Sequence, residues 1–359
     1  MILQLKAFMA LAEKVYSRST SLPILNDVCI DKGTIRITDI ENTLVMPFKD
    51  NRQYCLPLEV LKQVLKTNPS EIRISLLEDD KVEIQFDLHS VVCPTRSAEE
   101  YPTLPKGDFT QIGIWSREIF GILHKQMNFA SNDELKPAMT GICVSQNGSL
   151  QSCATDGHVL QYIDDLDPEH KCHLENPFNG ILARKTVALL SQVPTGKIMV
   201  SYSPDSPGYL KFELLGDMVL YSRLIDEQFP EYESILAESK ANQVKVDRKD
   251  LLNALRIADK FAGKSTHQGI VNIRDGLMTL SANDLDRNLE FETNIPTLER
   301  LGDEMKIGFN LKLLEQVISA LPENEILWRY SNPVSANLFS GIGNPNVQNL
   351  IMPVRLEED

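Results

Sequence analysis

The chain has 359 residues, of which 42% are hydrophobic and 24% are charged, a composition typical of soluble domains with full cores. Its formal net charge of −14 argues against a protein that wraps nucleic acid with its whole surface, because such a protein needs a basic face. No apolar run approaches the roughly 20 residues of a membrane helix. The first apolar run ends beside Glu13, which predicts an amphipathic helix rather than a secretory signal.

In chain order, six segments place apolar residues at helical spacing and predict amphipathic helices: 5–15, 57–67, 116–128, 183–193, 246–262 and 309–321. Between them, short runs such as 71–76 and 81–86 alternate apolar and polar residues and end at turn residues, as β-hairpins do. We therefore predict an α+β fold in which the helices gather on one face of antiparallel sheet.

Two phrases recur with a common period. The first is a turn whose aspartate recurs as Asp39, Asp156 and Asp284, at spacings of 117 and 128 residues. The second runs from a helix through a proline into a strand, and its prolines are 125 and 128 residues apart: Pro69, Pro194 and Pro322. This period is too long for a solenoid, whose units have roughly 20–50 residues. We predict three tandem copies of one domain, at residues 1–110, 111–240 and 241–359.

Positive charge is concentrated on the predicted helices. The six segments together carry +6, so the rest of the chain carries −20. In segment 246–262, Lys249, Arg256 and Lys260 fall on a different face from the apolar stripe. Cations take comparable positions on other helices: Lys62, Lys66, Arg117, Lys125, Arg184 and Lys185. Such a surface attracts a polyanion, and the lack of base-reading motifs favours contact with duplex phosphates.

The sequence contains no motif that we interpret as catalytic. The six cysteines include no C-x-x-C pair and predict reduced, mostly buried thiols of a cytoplasmic protein. One His/Cys cluster matches no common zinc spacing: His158, His170, Cys172 and His173. Residues 195–197 resemble the tail of a phosphate loop but lack its upstream glycine. We expect no cofactor, no metal and no catalysis, with a metal-dependent enzyme using that cluster as the alternative.

Five phrases in the correct order resemble the bacterial DNA polymerase III beta subunit, the sliding clamp, over essentially the full length. They are SLPIL at 21–25, FASNDELKPAMTGI at 129–142, ATDGHVL at 154–160, LIDEQFPEY at 224–232 and MPVRL at 352–356. The resemblance implies three tandem clamp domains in a ring-shaped head-to-tail homodimer, with helices on the inner face and sheets outside. Such a ring encircles duplex DNA and is a non-catalytic subunit of the polymerase holoenzyme.

The resemblance also assigns two sets of residues. The first set faces DNA: Lys6, Lys14, Arg18, Lys62, Lys66, Arg117, Lys125, Lys136, Arg184, Lys185, Lys249 and Arg256. The second set forms the interface between subunits, which joins Val91 and Cys93 in the first domain to Lys260 and Phe261 in the third.

The family further has a hydrophobic cleft between its second and third domains that binds short peptides of DNA polymerases, the clamp loader and repair proteins. Matched position by position, the cleft comprises Met139, Thr155, Gly157, His158, Leu160, Pro230, Ile235, Asn310, Val334, Leu350, Met352, Pro353, Val354 and Arg355. Val159, Ser234 and Leu313 stand where the family often has Arg, Arg and Tyr, and residues 357–359 add an acidic extension. We therefore expect a less cationic cleft, whose peptides are less acidic or more apolar than usual.

The leading hypothesis is a cytoplasmic processivity factor, of a bacterium or of a phage or plasmid in its host, that holds a polymerase on duplex DNA by topology. A monomeric three-domain scaffold that binds peptides is the alternative binding protein, beside the metal-dependent enzyme.

Overall fold

A computed structural model of the chain describes residues 2–16, 21–194, 196–205, 208–238, 240–274 and 276–356. The predicted cation Arg18 and the predicted acidic extension 357–359 lie outside the described residues.

Among the described residues, helices form at all six predicted segments, and a short one is added at Glu233–Ala237. Their bounds are α1 (Ile2–Val15), α2 (Leu58–Lys66), α3 (Arg117–Gln126), α4 (Arg184–Leu190), α5 (Glu233–Ala237), α6 (Arg248–Ala258) and α7 (Leu311–Ser319). Side-chain caps fix two of the starts, because the carboxylate of Asp247 and the amide of Asn310 accept the first free N–H groups of α6 and α7. No helix in the described ranges has the length and apolarity needed to cross a bilayer.

Apart from the 13-residue strand β20, the strands between the helices have two to eight residues. They pair antiparallel, which confirms the α+β prediction. Their bounds are β1 (Asp27–Asp31), β2 (Thr34–Thr38), β3 (Asn42–Pro47), β4 (Gln53–Pro57), β5 (Ile72–Leu77), β6 (Lys81–Phe86), β7 (His89–Pro94), β8 (Thr110–Ser116), β9 (Ile142–Gln146), β10 (Leu150–Thr155), β11 (Val159–Ile163), β12 (His173–Leu174), β13 (Phe178–Leu182), β14 (Lys197–Ser203), β15 (Tyr209–Glu213), β16 (Val219–Ile225), β17 (Asn242–Asp247), β18 (Gln268–Arg274), β19 (Leu277–Asp284), β20 (Leu289–Leu301), β21 (Met305–Asn310), β22 (Glu325–Tyr330), β23 (Asn337–Gly341) and β24 (Asn344–Ile351).

The chain divides into two compact units. The first comprises Met1–His124, Gln146–Gly148 and Glu169–Asp226, and the second comprises Lys125–Ser145, Ser149–Pro168 and Glu227–Asp359. These units do not test the three-domain division, which stays a prediction.

In the first unit, neighbouring strands follow the order β4–β1–β2–β3–β16–β15–β14–β8–β12, and β5–β6–β7 form a separate sheet. Its core is aromatic: Trp115 and Phe120 are fully buried, and Phe120 meets the ring of Phe212 edge-on at 5.8 Å. The indole N–H of Trp115 donates to the Gln146 side chain at 3.0 Å, so its polar atom is satisfied.

In the second unit, the order is β10–β11–β24–β23–β22–β17–β20–β19–β18–β21. The long strand β20 pairs with β19 through its first half and with β17 through its second half. Strand β24 therefore joins the end of the third predicted repeat to β11 of the second.

Three buried amides fix the register between β11 and β24. The side chain of Gln126 donates to the Gln161 carbonyl at 3.0 Å, and that of Gln161 donates to Asn349 at 2.9 Å. Asn349 in turn donates to the Val317 carbonyl of α7 at 2.7 Å. Because buried polar groups are costly unless bonded, a slip of one residue would leave this chain of donors unpaired.

The recurring aspartate turn has the same geometry in the first two repeats. Asp39 accepts the N–H of Asn42 at 2.6 Å, and Asp156 accepts that of Val159 at 2.8 Å. In both turns the preceding threonine hydroxyl donates to the carbonyl of that same residue. The third turn differs, since Asp284 accepts from both the backbone and the guanidinium of Arg287. The first two repeats thus share backbone structure as well as sequence.

The central turn residue is left-handed in both copies, with φ of +82° at Ile40 and +93° at Gly157. Gly157→Val should lower the free energy of unfolding by about 1–3 kcal/mol through backbone strain alone, because an added Cβ meets nothing within 4 Å. Gly157→Asn is the matched control, since asparagine tolerates this conformation. Thermal unfolding measures both, and equal destabilisation by the two variants would contradict the strain argument.

Asn349→Ala should lower the free energy of unfolding by about 2–3 kcal/mol, because it leaves the Gln161 amide and the Val317 carbonyl unpaired in the core. Urea unfolding provides the measurement. Gln348→Ala, one residue earlier on β24 and only half-buried, is the control and should cost less than about 1 kcal/mol. Equal midpoints for the two variants would show that the buried amides do not hold β24.

Candidate functional site

A row of leucines crosses three neighbouring strands of the second unit. The ladders place Leu160 of β11 opposite Leu350 of β24, and Leu350 opposite Leu338 of β23. Directly paired residues lie on the same face of a sheet, so these three form one apolar surface, here called the leucine row. They belong to a buried cluster with Cys143, Cys153, Tyr232 and Ala336.

The leucine row has an apolar rim that is open to solvent. Met352, Ile235 and Val334 are 40%, 38% and 56% exposed. The Met352 N–H donates to the His158 carbonyl at 2.8 Å, and the Ile235 N–H donates to Tyr232 at 3.1 Å. Val334 lies in the loop that leads to Ala336 and Leu338. An apolar floor with an apolar exposed rim is typical of a surface that binds a partner.

The aspartate turn of the second repeat forms the edge of this surface. The Asp156 carboxylate accepts the N–H groups of His158 and Val159 at 2.7 and 2.8 Å, which fixes the turn. Gly157 and His158 are exposed, whereas Thr155 is buried and its hydroxyl donates to the Val159 carbonyl. Thr155 therefore supports the turn, and Gly157 and His158 are the turn residues accessible to a ligand.

The segment after β24 is tied to the third repeat. The Val354 N–H donates to the Gly308 carbonyl at 2.8 Å, next to Asn310, which caps α7 and donates to the Thr266 carbonyl at 3.0 Å. Pro353 is half-buried and Arg355 is exposed. Two further predicted cleft residues, half-buried Met139 and exposed Pro230, also lie in the second unit. All the predicted cleft residues thus belong to one compact unit.

Sequence reasoning missed part of the floor. Tyr232 and Leu338 are buried in the cluster, and Phe229 and Leu236 pack against it. The rings of Phe229 and Tyr232 meet edge-on at 6.0 Å. Both rings belong to the phrase at 224–232, one of the five that carry the family resemblance, so the sequence did offer a signal for this segment. Leu338 gave no signal, because nothing in one strand indicates which strand lies beside it.

The two cysteines of the floor behave as apolar groups. Burial, with a smaller contribution from the Glu233 carboxylate, raises the pKa of Cys143 to about 11, and burial raises the pKa of Cys153 well above its ordinary value. Both thiols are therefore neutral at pH 7, and the floor carries no thiolate.

The first unit contains the same ladder without the leucines. Thr43, Tyr221 and Lys211 occupy the register positions of Leu160, Leu350 and Leu338. The strands correspond one to one, from β2–β3–β16–β15 to β10–β11–β24–β23. The side chains therefore make the surface of the β11–β24 ladder apolar and that of the β3–β16 ladder polar.

Among the predicted DNA-facing cations, two have donors committed to helix ends. The Arg117 guanidinium donates to the carbonyls of Ser191 and Val193, at the end of α4, at 2.5 and 3.2 Å. Lys185 donates to the Val15 carbonyl at 2.7 Å and pairs with Asp39 at 2.5 Å. These contacts satisfy last-turn carbonyls and give both residues a structural role.

The other predicted cations differ in how they are paired. Four have side-chain partners: Lys6 with Asn68, Lys14 with Gln192, Lys62 with Glu13 and Arg256 with Glu315. Arg184 is exposed. Four are exposed and make no side-chain hydrogen bond or ion pair within the described part of the chain: Lys66, Lys125, Lys136 and Lys249. The last group has ammonium donors available to a ligand.

The predicted interface residues lie at two separate places. Val91 and Cys93 belong to β7, the edge strand of the three-stranded sheet, where Val91 is half-buried and Cys93 is buried. Phe261 stacks on Phe291 with ring centroids 5.0 Å apart and planes 3° from parallel, and Lys260 beside it is exposed.

The proposed metal cluster finds no support in the described residues, where no three His, Cys, Asp or Glu side chains are arranged to hold a metal ion. His158 lies in the β10–β11 turn. The Cys172 sulfur accepts the Ser116 N–H at 3.1 Å, and exposed His173 lies 3.7 Å from Glu175.

Comparison with known proteins gives a consistent result. Residues 233–355 match the family model of the DNA polymerase III beta subunit, C-terminal domain. The chain is 24% identical to the beta sliding clamps of Caulobacter vibrioides and Haemophilus influenzae, covering 96% and 95% of this chain and 95% of each relative.

Solved structures agree. A putative DNA polymerase III beta subunit from Eubacterium rectale superposes with a TM-score of 0.85 at 18% identity, and the beta subunit from Pseudomonas aeruginosa with 0.81 at 23%. Each alignment covers 99% of this chain and 98% of the other. The resemblance to the bacterial DNA polymerase III beta subunit, the sliding clamp, is therefore confirmed along the whole chain and in its fold.

Proposed function

We propose that this protein is a DNA sliding clamp, a non-catalytic processivity factor that encircles duplex DNA and tethers a DNA polymerase. The observation that carries the proposal is the likeness to beta sliding clamps in sequence and fold over the whole chain. In this proposal the chain is three clamp domains, 1–110, 111–240 and 241–359, and two chains close into a head-to-tail ring.

DNA is held by phosphate contacts that carry no sequence information. Lys66, Lys125 and Lys249 support this role best, because they are exposed on or next to helices and their ammonium groups have no described partner. Three such cations in a chain of net charge −14 give weak, salt-sensitive attraction. Weak attraction lets the ring slide, and topology rather than affinity keeps it on DNA.

The cleft around the leucine row binds short apolar peptides. Two apolar anchors at about 1.5–3 kcal/mol each, less the cost of ordering the peptide, give micromolar affinity. Exposed Met352 adapts to side chains of different shape. Partners that exchange on one site, such as DNA polymerase, the clamp loader and repair proteins, need binding of this strength.

The ring closes through two different surfaces. In our proposal the β7 edge, with Val91 and Cys93, meets the region of Lys260 and Phe261 on a second copy. A head-to-tail contact of this type needs no symmetry within the interface. The ring closes when the rotation that relates one subunit to the next adds up to a full turn. The unpaired backbone groups of an edge strand supply hydrogen bonds for such a contact.

Retention on DNA should depend on the shape of the DNA. Once loaded on nicked circular duplex, the protein should stay bound in salt that abolishes phosphate contacts, because release requires the ring to open. Cutting the circle once should release it within seconds to minutes. Gel filtration of the loaded complex before and after cutting provides the measurement.

The control is a linear duplex of the same sequence with both ends blocked by bound protein, which should retain the clamp. Equal loss from the intact circle and from the cut duplex with free ends would contradict encirclement. A solution mass of one chain at micromolar concentration would instead support a monomeric peptide-binding scaffold.

Ile235→Ala, Val334→Ala and Met352→Ala should each weaken binding of an apolar polymerase-tail peptide by about 5–30-fold, since each removes about 1–2 kcal/mol of apolar contact. The protein should keep its stability, because all three side chains are partly exposed. Fluorescence anisotropy with a labelled peptide gives the dissociation constants.

Leu285→Ala is the matched control, since Leu285 is 87% exposed, lies in the same unit and is outside the leucine row and its rim. It should bind the peptide as the parent does. Loss of binding in the control, or unchanged binding in all three rim variants, would place the peptide elsewhere.

A further inference from the structure

Two cysteines of the first unit face each other across a pair of strands. The ladder between β1 and β4 puts Cys29 directly opposite Cys55. Both side chains are fully buried, in a small cluster with Ala98 and Tyr101. Neither residue takes part in the DNA, peptide or subunit contacts proposed above.

The backbone pattern identifies the type of pair. The N–H and carbonyl of Cys55 bond to Arg96, at 2.9 and 3.1 Å, so they point away from β1. Cys29 and Cys55 are therefore a non-hydrogen-bonded pair, whose Cα atoms in an antiparallel ladder are about 4.5 Å apart. Disulfides span Cα distances of about 4.4–6.8 Å. The strands thus already have the spacing that a disulfide requires.

The surroundings favour one thiolate. The neighbouring Cys55 side chain, and then the guanidinium of Arg36 directly opposite on β2, lower the pKa of Cys29 against the opposing effect of burial. The Cys55 thiol itself donates to the Ser97 carbonyl at 3.9 Å. The neighbouring Cys29 side chain raises the pKa of Cys55, with burial adding to the effect. A nucleophilic sulfur beside a second thiol is the arrangement found in oxidisable cysteine pairs.

A second pair of buried cysteines lacks these features. Cys143 and Cys153 share the cluster under the leucine row, but the charged group near both is the Glu233 carboxylate rather than a guanidinium. Their pKa values are raised, so both stay neutral thiols. This pair is an internal control for burial without activation.

We propose that Cys29 and Cys55 form an oxidisable dithiol that a peroxide converts to an intramolecular disulfide. The Cys29 thiolate attacks one peroxide oxygen, the O–O bond breaks, and a sulfenic acid and hydroxide form; the hydroxide takes a proton to become water. The Cys55 sulfur then attacks the sulfenic sulfur, the S–S bond forms, and a second water leaves with the Cys55 proton. The pair loses two electrons, which reduce the peroxide.

Access requires the cover to open. The Tyr101 hydroxyl accepts the Thr38 N–H and donates to the Asp27 carbonyl, both at 3.1 Å, and so holds the segment over the sulfurs. Oxidation of the folded protein should therefore be slow and limited by local opening. Loss of the hydroxyl removes both hydrogen bonds and should raise the rate by roughly 5–30-fold, the factor expected from the net contribution of one to two such bonds.

The test treats the full chain with hydrogen peroxide, alkylates free thiols under denaturing conditions, and locates the products by peptide mass spectrometry. Two of the six cysteines should become resistant to alkylation, and one cross-linked peptide should join Cys29 to Cys55. A thiol reductant should restore both. Tyr101→Phe should give the same product faster.

Two controls keep the outcome decisive. Cys29→Ala should leave Cys55 alkylatable, and circular dichroism shows whether that variant is folded. Cys143 and Cys153 should stay alkylatable throughout. Six free thiols after treatment of both the parent and Tyr101→Phe would overturn the proposal, as would a disulfide that forms first at Cys143 and Cys153. None of these readouts depends on DNA or peptide binding, so they test the dithiol apart from the clamp function.

Discussion

The pairing of β11 with β24 is the contact on which the second unit depends. It joins residues as distant in the chain as Gln161 and Asn349, which are 188 positions apart. Closing so long a loop costs conformational entropy that local contacts do not recover. The buried amides and the leucine row offset that cost, and both need the same register. One ladder thus stabilises the unit and aligns the leucine row.

Repetition with local divergence explains why, in the described part of the chain, the leucine row lies on the β11–β24 ladder and not on the corresponding β3–β16 ladder. The β3–β16 and β11–β24 ladders share backbone geometry, turn hydrogen bonds and register. Where one carries three leucines, the other carries Thr43, Tyr221 and Lys211. A fold provides positions, and side chains decide which of them binds. The repeated copies supply the scaffold, and a handful of apolar substitutions supply the site.

The sequence predicted the helices well because each depends on spacing within about three turns. The cleft residues were predicted only from the family resemblance. Leu160 and Leu338 come together because β24 pairs with both β11 and β23, and no local sequence pattern encodes these pairings. The cations show the same limit. Lys185 and Lys66 both lie on polar helix positions, yet Lys185 is committed to Asp39 and the Val15 carbonyl, while the Lys66 ammonium meets no partner among the described residues. Tyr232 was missed because its ring closes the floor from a connecting segment.

The position of β24 in the chain also sets an order of events during synthesis. The leucine row needs residue 350 beside residue 160, so the cleft does not exist on a ribosome-bound chain until almost all of the described residues have emerged. Before that, β11 presents an unpaired edge and its leucine is exposed. A nascent chain that lacks β24 thus has no complete leucine row, and it carries an unpaired strand edge of the kind that favours aggregation. When β24 pairs with β11, the edge is satisfied and the leucine is covered in the same step.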